Sequence, residues 1–287
     1  MNEQEFPALY RSADELSLNA QAHFFTALRT HLITLVAAAI LSVANVPHWS
    51  VAVLQLLALL GALGCSIYLF SLRPDRQWYA GRAVAESIKT ITWRYVSRAE
   101  PFDCDDAMAR NEFNLKLKAI VDQNREVCQA LTEHLDGTQI TAAMDQMRAE
   151  SLVDRREAYA KGRIENQLGW YAKKAAFNRR RSRVFFWALI GTNSFAVILA
   201  ALRIAFPSHP YWPTDVLVAA AASLLSWMQA KRFSELAGSY ALAAHEIGLI
   251  REQSQIPNTE RAFSLFVSDA ENAFSREHTQ WVARKDK

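Results

Sequence analysis

Side chains that could carry out chemistry are few in this sequence, and they form no recognised catalytic pattern. The three cysteines, Cys65, Cys104 and Cys128, lack the short spacing of a metal site. The seven histidines are scattered along the chain. No phosphate-binding glycine loop and no hydrolase or metalloprotease motif is present in the sequence. We therefore expect a protein that is not an enzyme and that needs no metal or cofactor.

Two glutamates at matching positions, Glu86 and Glu246, could be considered as an acid and a base. Ion pairs on a helix surface are the simpler interpretation. Arg82 and Lys89 each lie about one helical turn from Glu86, which suits such pairs.

A further set of polar residues lies inside long apolar runs. Polar residues in such runs mark either helix packing or a pathway for water and ions. The runs Thr30–Leu72 and Val184–Leu202 contain no Asp, Glu, Lys or Arg. Small or polar candidates in these runs and in the stretch 216–230 are Gln55, Gly61, Gly64, Thr192, Asn193, Ser194, Ser223 and Ser226. They could line a pore or join helices, and the sequence leaves both alternatives open.

The apolar runs are long enough to form membrane spans, since crossing the hydrocarbon takes about 20 residues. Pro47 divides the first run, and "PSHPYWPTD" divides the second apolar block. We predict two transmembrane hairpins with four spans, at about 31–46, 50–72, 184–206 and 214–230. Buried helices of a soluble protein are the alternative, which uncharged runs of this length disfavour.

Basic residues lie at the open ends of both hairpins, and the hairpin tips contain neither Lys nor Arg. The open ends of the second hairpin carry Arg179, Arg180, Arg181, Arg183, Lys231 and Arg232 as predicted topology anchors. Because Lys and Arg collect on the cytoplasmic side, we expect a protein of the cytoplasmic (inner) membrane with both termini in the cytoplasm. This topology accounts for the arginine run, so we expect no nucleic-acid binding.

The segments outside the hairpins have helical periodicity. Apolar residues recur at helical spacing from Phe113 to Leu135 and predict one helix that ends at Asp136-Gly137. Thr138 is expected to cap a second helix that could run into the third span. Amphipathic helices are predicted after each hairpin and at the C-terminal end. The predicted fold is an all-α membrane protein whose long helices extend into a cytoplasmic helical bundle.

An internal repeat relates the two halves of the chain. "FFTAL" recurs as "FFWAL", and Pro47 and Glu86 have counterparts in Pro207 and Glu246, at an offset of 160 or 161 positions. We predict a first domain at 1–100, a helical linker at 101–150 and a second domain at 151–287.

Longer phrases in both halves resemble a known family. The segment "RPDRQWYAGRAVAESIKTITWRY" is similar to the SLATT family, the SMODS- and SLOG-associating two-transmembrane effector domains of bacteria. The segments "LLSWMQAKRFSELAGSYALAAHEIGLIREQ" and "FVSDAENAFSREHTQWVARK" resemble another class of the same family, joined in tandem. The resemblance covers nearly the whole chain. It implies a membrane-perforating effector of prokaryotic conflict systems that answers nucleotide second messengers, although no nucleotide-sensing domain is recognisable in this chain.

The sequence and the resemblance together predict an oligomeric pore or channel effector, gated through its cytoplasmic helices. The four membrane-spanning helices of one chain enclose little space for a pore, so we expect a homo-oligomer. The expected partners are the lipid bilayer, further copies of the chain and a nucleotide-signalling or SLOG-type sensor protein. The alternative is a non-conducting membrane scaffold that recruits cytoplasmic partners.

Overall fold

The protein is built from helices joined by short loops. The structure is a computed structural model that describes residues 1–44 and 46–283, with the backbone alone over 276–283. Helix accounts for 82% of the residues, and no strand is found in the described ranges, which confirms the all-helical prediction. Residue 45 of the predicted first span and residues 284–287 of the predicted second domain lie outside the described residues.

Most helices are long, and two of them are much longer than a bilayer requires. In chain order the α-helices are α1 (Ala8–Ala44), α2 (Trp49–Leu72), α3 (Pro74–Val96), α4 (Asp106–Gln123), α5 (Arg125–Cys128), α6 (Ala142–Ala149), α7 (Leu152–Tyr159), α8 (Asn166–Ala205), α9 (Thr214–Lys231), α10 (Phe233–Gln253) and α11 (Glu260–Ala283). A π-helical segment, Ala160–Glu165, joins α7 to α8. Leu152–Ala205 is therefore one continuous helix of 54 residues.

Within the described residues, three helices are long and apolar enough to cross a membrane. They are α1, α2 and the continuous helix Leu152–Ala205. The fourth predicted span, 214–230, falls on α9, a helix of 18 residues that is not among these three. The fourth span therefore stays a prediction.

The chain folds as two compact units, each built from both halves of the sequence. Of the described residues, the core unit comprises Met1–Gln21, Asp75–Ala172 and residues 241–283. The span unit comprises Ala22–Pro74 and Lys173–Tyr240, and it contains the apolar parts of the long helices.

An aromatic cluster lies inside the core unit. The Tyr95 ring lies 5.0 Å from the ring of Phe113 and 5.9 Å from that of Phe102, measured between centroids. These side chains are almost fully buried, as are Trp93 and Tyr159. The buried Val84, Ile88 and Tyr95 all belong to α3. They show that α3 turns its predicted apolar stripe inward.

The predicted helices between the hairpins begin and end at other residues than expected. The helix that starts before Phe113 ends at Gln123, where the Asn124 side chain donates to the Ile120 carbonyl oxygen (2.8 Å) and helps to end it. The prediction of one helix reaching Leu135 was wrong, because Asn124 satisfies the helix end locally.

The predicted cap at Thr138 was also wrong. The Thr141 hydroxyl accepts from the Met144 N–H (3.3 Å) and caps α6. The Ser151 hydroxyl then accepts from the Asp154 N–H (3.2 Å) and caps α7. The Ser151 hydroxyl gives a backbone N–H at the start of α7 its own acceptor. For this reason α7 begins as a separate helix and α6 ends before it. The helix that continues through the third span therefore begins at Leu152.

In both halves of the chain, a single arginine with a left-handed backbone conformation connects the apolar helix to the amphipathic helix that follows it. Arg73 joins α2 to α3 with φ at 42°, and Arg232 joins α9 to α10 with φ at 48°. A left-handed backbone at a non-glycine residue costs roughly 1–2 kcal/mol and is uncommon. Its recurrence at matching places agrees with a duplicated unit.

Candidate functional site

In the first hairpin, the candidates on α2 differ in exposure. Gln55 is half-buried, on the side of α2 that also carries the buried Ala62. The His31 side chain of α1 approaches the Ala62 carbonyl oxygen, with Nδ1 as donor (3.0 Å). A Cβ added at Gly61 would lie 3.8 Å from Thr34 of α1, whereas Gly64 faces open space. Gln55 therefore belongs to the packed side of α2, Gly61 is exposed but borders Thr34 of α1, and Gly64 faces open space.

The polar triplet in α8 is divided between a packed and an exposed side. Half-buried residues recur at helical spacing from Phe185 through Leu189 and Thr192, and the Thr192 hydroxyl donates to the Ala188 carbonyl oxygen (2.8 Å). Asn193 and Ser194 are exposed. The Asn193 amide donates to the Leu189 carbonyl oxygen of its own helix (3.0 Å). In α9, similarly, Ser223 is half-buried and Ser226 is exposed.

The eight candidates therefore form two groups. In the first group Gln55, Thr192 and Ser223 are half-buried, and Gly61 is exposed but borders Thr34 of α1. The outward group is Gly64, Asn193, Ser194 and Ser226. The outward group is positioned to meet lipid, water or another copy of the chain.

The predicted topology anchors differ in their surroundings. The four arginines of α8, Arg179, Arg180, Arg181 and Arg183, are exposed. Lys231 is half-buried, with Nζ 3.1 Å from the centroid of the Phe25 ring and 5.1 Å from that of Trp227. Arg232 forms a two-pronged ion pair with Glu235, and its Nε donates over 2.7 Å.

The core unit contains buried arginines that we did not single out from the sequence. Arg148 donates to the Tyr95 carbonyl oxygen (2.7 Å) and to Asp106 (2.9 Å). Arg155 donates to the Ser97 carbonyl oxygen (3.0 Å). Both arginines thus serve backbone acceptors at the C-terminal end of α3 that the helix itself leaves open. The sequence signal was weak, because an Arg- and Glu-rich helix usually indicates a solvated surface.

A third buried arginine, Arg163, lies in the π-helical segment and pairs with Glu271 of α11. Its Nε and Nη2 each donate to a different Glu271 oxygen at 2.8 Å, and the Tyr159 hydroxyl donates to the same carboxylate at 3.0 Å. Both charged side chains are at most 1% exposed. Burial disfavours the charge of Arg163, but Glu271 raises its pKa. The geometry is that of a strong bidentate pair.

A second charged group surrounds Glu86. The predicted pair with Arg82 is present at 2.8 Å. The prediction that this ion pair lies on the helix surface was wrong, because the Glu86 side of the pair is buried and Glu86 is only 6% exposed. Burial also lowers the pKa of the neighbouring Lys89 and raises that of Asp14. Folding places these charges inside the core unit because they neutralise one another there.

Gly162 lets the π-helical segment approach Trp93 closely. A Cβ at Gly162 would lie 2.9 Å from the Trp93 ring. π-Helical turns are rare and frequently occur at functional positions. Here the segment holds Arg163 on the continuous helix that enters the span unit.

We expect Gly162→Ala to lower the free energy of unfolding by about 1–3 kcal/mol, because the new methyl group displaces a fully buried ring. Gly169→Ala is the matched control. It lies in α8 with nothing within 4 Å of an added Cβ. Alanine there should stabilise by up to about 1 kcal/mol. Thermal unfolding in detergent measures both variants, and equal midpoints would contradict the close approach.

Metal-ligating side chains do not gather in the described part of the chain. No group of three or more His, Cys, Asp or Glu that could hold a metal ion occurs there.

The apolar helices and the helical core unit define the class as an α-helical membrane protein. The chain belongs to the family of SMODS and SLOG-associating 2TM effector domains. Domain 3 of that description matches residues 7–156, and domain 1 matches residues 159–281, which confirms the predicted tandem. The family gives the chain a membrane effector role. No curated protein and no solved structure matches the chain.

Proposed function

We propose that the chain forms an oligomeric membrane pore or channel, opened through its cytoplasmic helices, in a bacterial conflict or antiphage system. The membrane effector role of its family supports this proposal. The observation that carries it is the exposed amide of Asn193 in the middle of an apolar helix.

An amide side chain can make more hydrogen bonds than the one that Asn193 makes to its own helix. Polar groups facing hydrocarbon are costly, so such groups in membrane proteins face water or another helix. Four narrow helices enclose little space in one chain. If several copies of the chain assembled with their outward groups facing one another, Asn193, Ser194 and Ser226 would contact water or a neighbouring helix.

Gating through the core unit has a direct covalent route. α1 and the continuous helix Leu152–Ala205 each have residues in both compact units. A partner that displaces the π-helical segment around Arg163 would move the same helix that carries Asn193. We propose a nucleotide-signalling or SLOG-type sensor protein as that partner.

The test is ion or dye flux through liposomes that contain the purified protein. We expect leak from the wild type, a mass above that of a monomer in detergent, and depolarisation of cells that overexpress it. A protein that stays silent in both assays, with the neighbouring sensor supplied, would remove the pore and favour the scaffold.

The proposed topology places both hairpin tips outside and both termini in the cytoplasm, with four spans. Cysteines introduced at His48 and Ser208, in a background without native cysteines, should react with an impermeant thiol reagent on intact cells. A cysteine at the exposed Gln123 should react only after the cells are opened. Labelling at Gln123 from outside would reverse the orientation. Labelling at His48 but not at Ser208 would contradict the second hairpin.

The alternative function is a non-conducting scaffold that recruits cytoplasmic partners. One observation favours it: α4 exposes Leu115 and Met108, and Met108 lines a shallow surface groove together with Pro101 and Cys104. Exposed apolar side chains of this kind can bind a protein partner.

A further inference from the structure

Basic side chains of α1 and α9 lie on either side of one aromatic ring in the span unit: Lys231 Nζ lies over the Phe25 ring, and Arg29 follows Phe25 by about one turn of α1. Lys231 at the end of α9 is influenced by Arg29 of α1 and by Lys174 of α8. Burial, followed by these two positive charges, lowers the pKa of Lys231 to about 8. Neighbouring cations disfavour one another, so their grouping indicates a place where an anion would be stabilised.

Aromatic rings fix the ammonium group at the centre of this cluster. Lys231 Nζ lies 3.1 Å from the Phe25 ring centroid and 5.1 Å from that of Trp227. The two rings meet edge to face, with centroids 5.8 Å apart. The position is thus held before any ligand arrives, which reduces the entropic cost of binding.

The surroundings suit a group that is partly apolar and partly anionic. Arg29 is exposed and stands one residue before the charge-free run of α1. Lys231 directly follows the apolar stretch of α9. Aromatic and basic side chains at such a boundary are typical of the level at which lipid headgroups lie.

We propose that Arg29 and Lys231, with Phe25 and Trp227, form a binding site for an anionic phosphate group. The phosphate belongs either to a phospholipid headgroup or to a soluble phosphate compound. Lysine and arginine bind phosphate through charge-assisted hydrogen bonds. The site goes beyond the proposed pore and does not require it, because binding is measured on the purified protein without any flux.

Three probes distinguish the two sources of phosphate. They are short-chain phosphatidylglycerol, short-chain phosphatidylcholine and inorganic phosphate, each titrated into the detergent-purified full chain by calorimetry. Preferential binding of phosphatidylglycerol assigns the site to anionic lipid. Equal or tighter binding of inorganic phosphate assigns it to a soluble compound. Phosphatidylcholine binding as tightly as phosphatidylglycerol would overturn the site, as would binding of none of the probes.

Substitutions test the two cations of the site. Lys231→Gln and Arg29→Gln should each weaken phosphatidylglycerol binding about fivefold, the effect of one basic contact. Arg29 is exposed, so its loss should leave the fold intact even if Lys231→Gln disturbs packing. Arg251→Gln removes an equal charge from the core unit, where Arg251 pairs with Glu252, and should bind as the wild type does. Wild-type binding by both test variants would overturn the proposal.

The pH dependence gives an independent readout. The phosphodiester of phosphatidylglycerol keeps its charge through the range in which Lys231 titrates. Binding should therefore weaken as the pH rises through about 8, because Lys231 loses its proton there. Lys231→Arg keeps its charge and should bind with little change over the same range. A wild-type profile as flat as that of Lys231→Arg would remove Lys231 from the site.

Discussion

Replacing Asn193 with leucine should lower ion flux through reconstituted liposomes by at least about tenfold, since an apolar constriction loses its water and closes. Leucine has a similar volume but lacks the amide that Asn193 exposes outside the packed side of α8. Membrane insertion and the mass of the oligomer in detergent should stay as in the wild type. The measurement is flux per inserted protein, together with depolarisation of cells that express the variant.

Thr192→Val is the matched control for Asn193→Leu. Thr192 is the adjacent polar residue, but it lies on the packed side and its hydroxyl donates to Ala188 of the same helix. We expect its flux to remain within about twofold of the wild type, because the change does not alter the outward surface.

A different result for Asn193→Leu would support helix packing instead. If Asn193 joins two copies of the chain, its loss should weaken the oligomer by ~1 kcal/mol. The remaining oligomers would then conduct normally. A weakened oligomer with unchanged flux per assembled complex therefore contradicts a pore-lining role.

Breaking the buried pair in the core unit should give the largest loss of stability. Glu271→Leu leaves the guanidinium of Arg163 buried without its carboxylate, and Arg163→Met leaves the carboxylate without its cation. Either change should lower the free energy of unfolding by about 3–5 kcal/mol. Denaturant unfolding in detergent, followed by circular dichroism, measures the loss.

The double variant Arg163→Met with Glu271→Leu should recover most of the lost stability, because it removes both buried charges together. Lys116→Met is the control. It breaks the pair with Glu112 at 3.4 Å, in which both side chains are about one-third exposed or more. Its midpoint should stay close to that of the wild type. Additive losses in the double variant would mean that the two residues act separately.

The sequence by itself determined which segments are apolar helices. Membrane helices depend on an uninterrupted local run of apolar residues, a property that can be read without any contact. This is why α1, α2 and the third apolar helix were predicted. The internal repeat was predicted from short phrases at an offset of 160 or 161 positions, and the tandem of two family units from the resemblance of each half to the family. The ends of the helices around Asn124 and Thr141 were not predicted, because several side chains there could have served as caps and only the fold selects among them.

Tertiary structure alone decided which polar residues are buried and which are exposed. Thr192 and Asn193 are neighbours in sequence, yet one lies on the packed side of α8 and the other faces outward. Likewise, Arg163 looks like any surface arginine in a charged helix, but Glu271 meets it from 108 positions away. A charged side chain can be buried only when its partner arrives with it, and that pairing depends on long-range packing that local sequence does not encode.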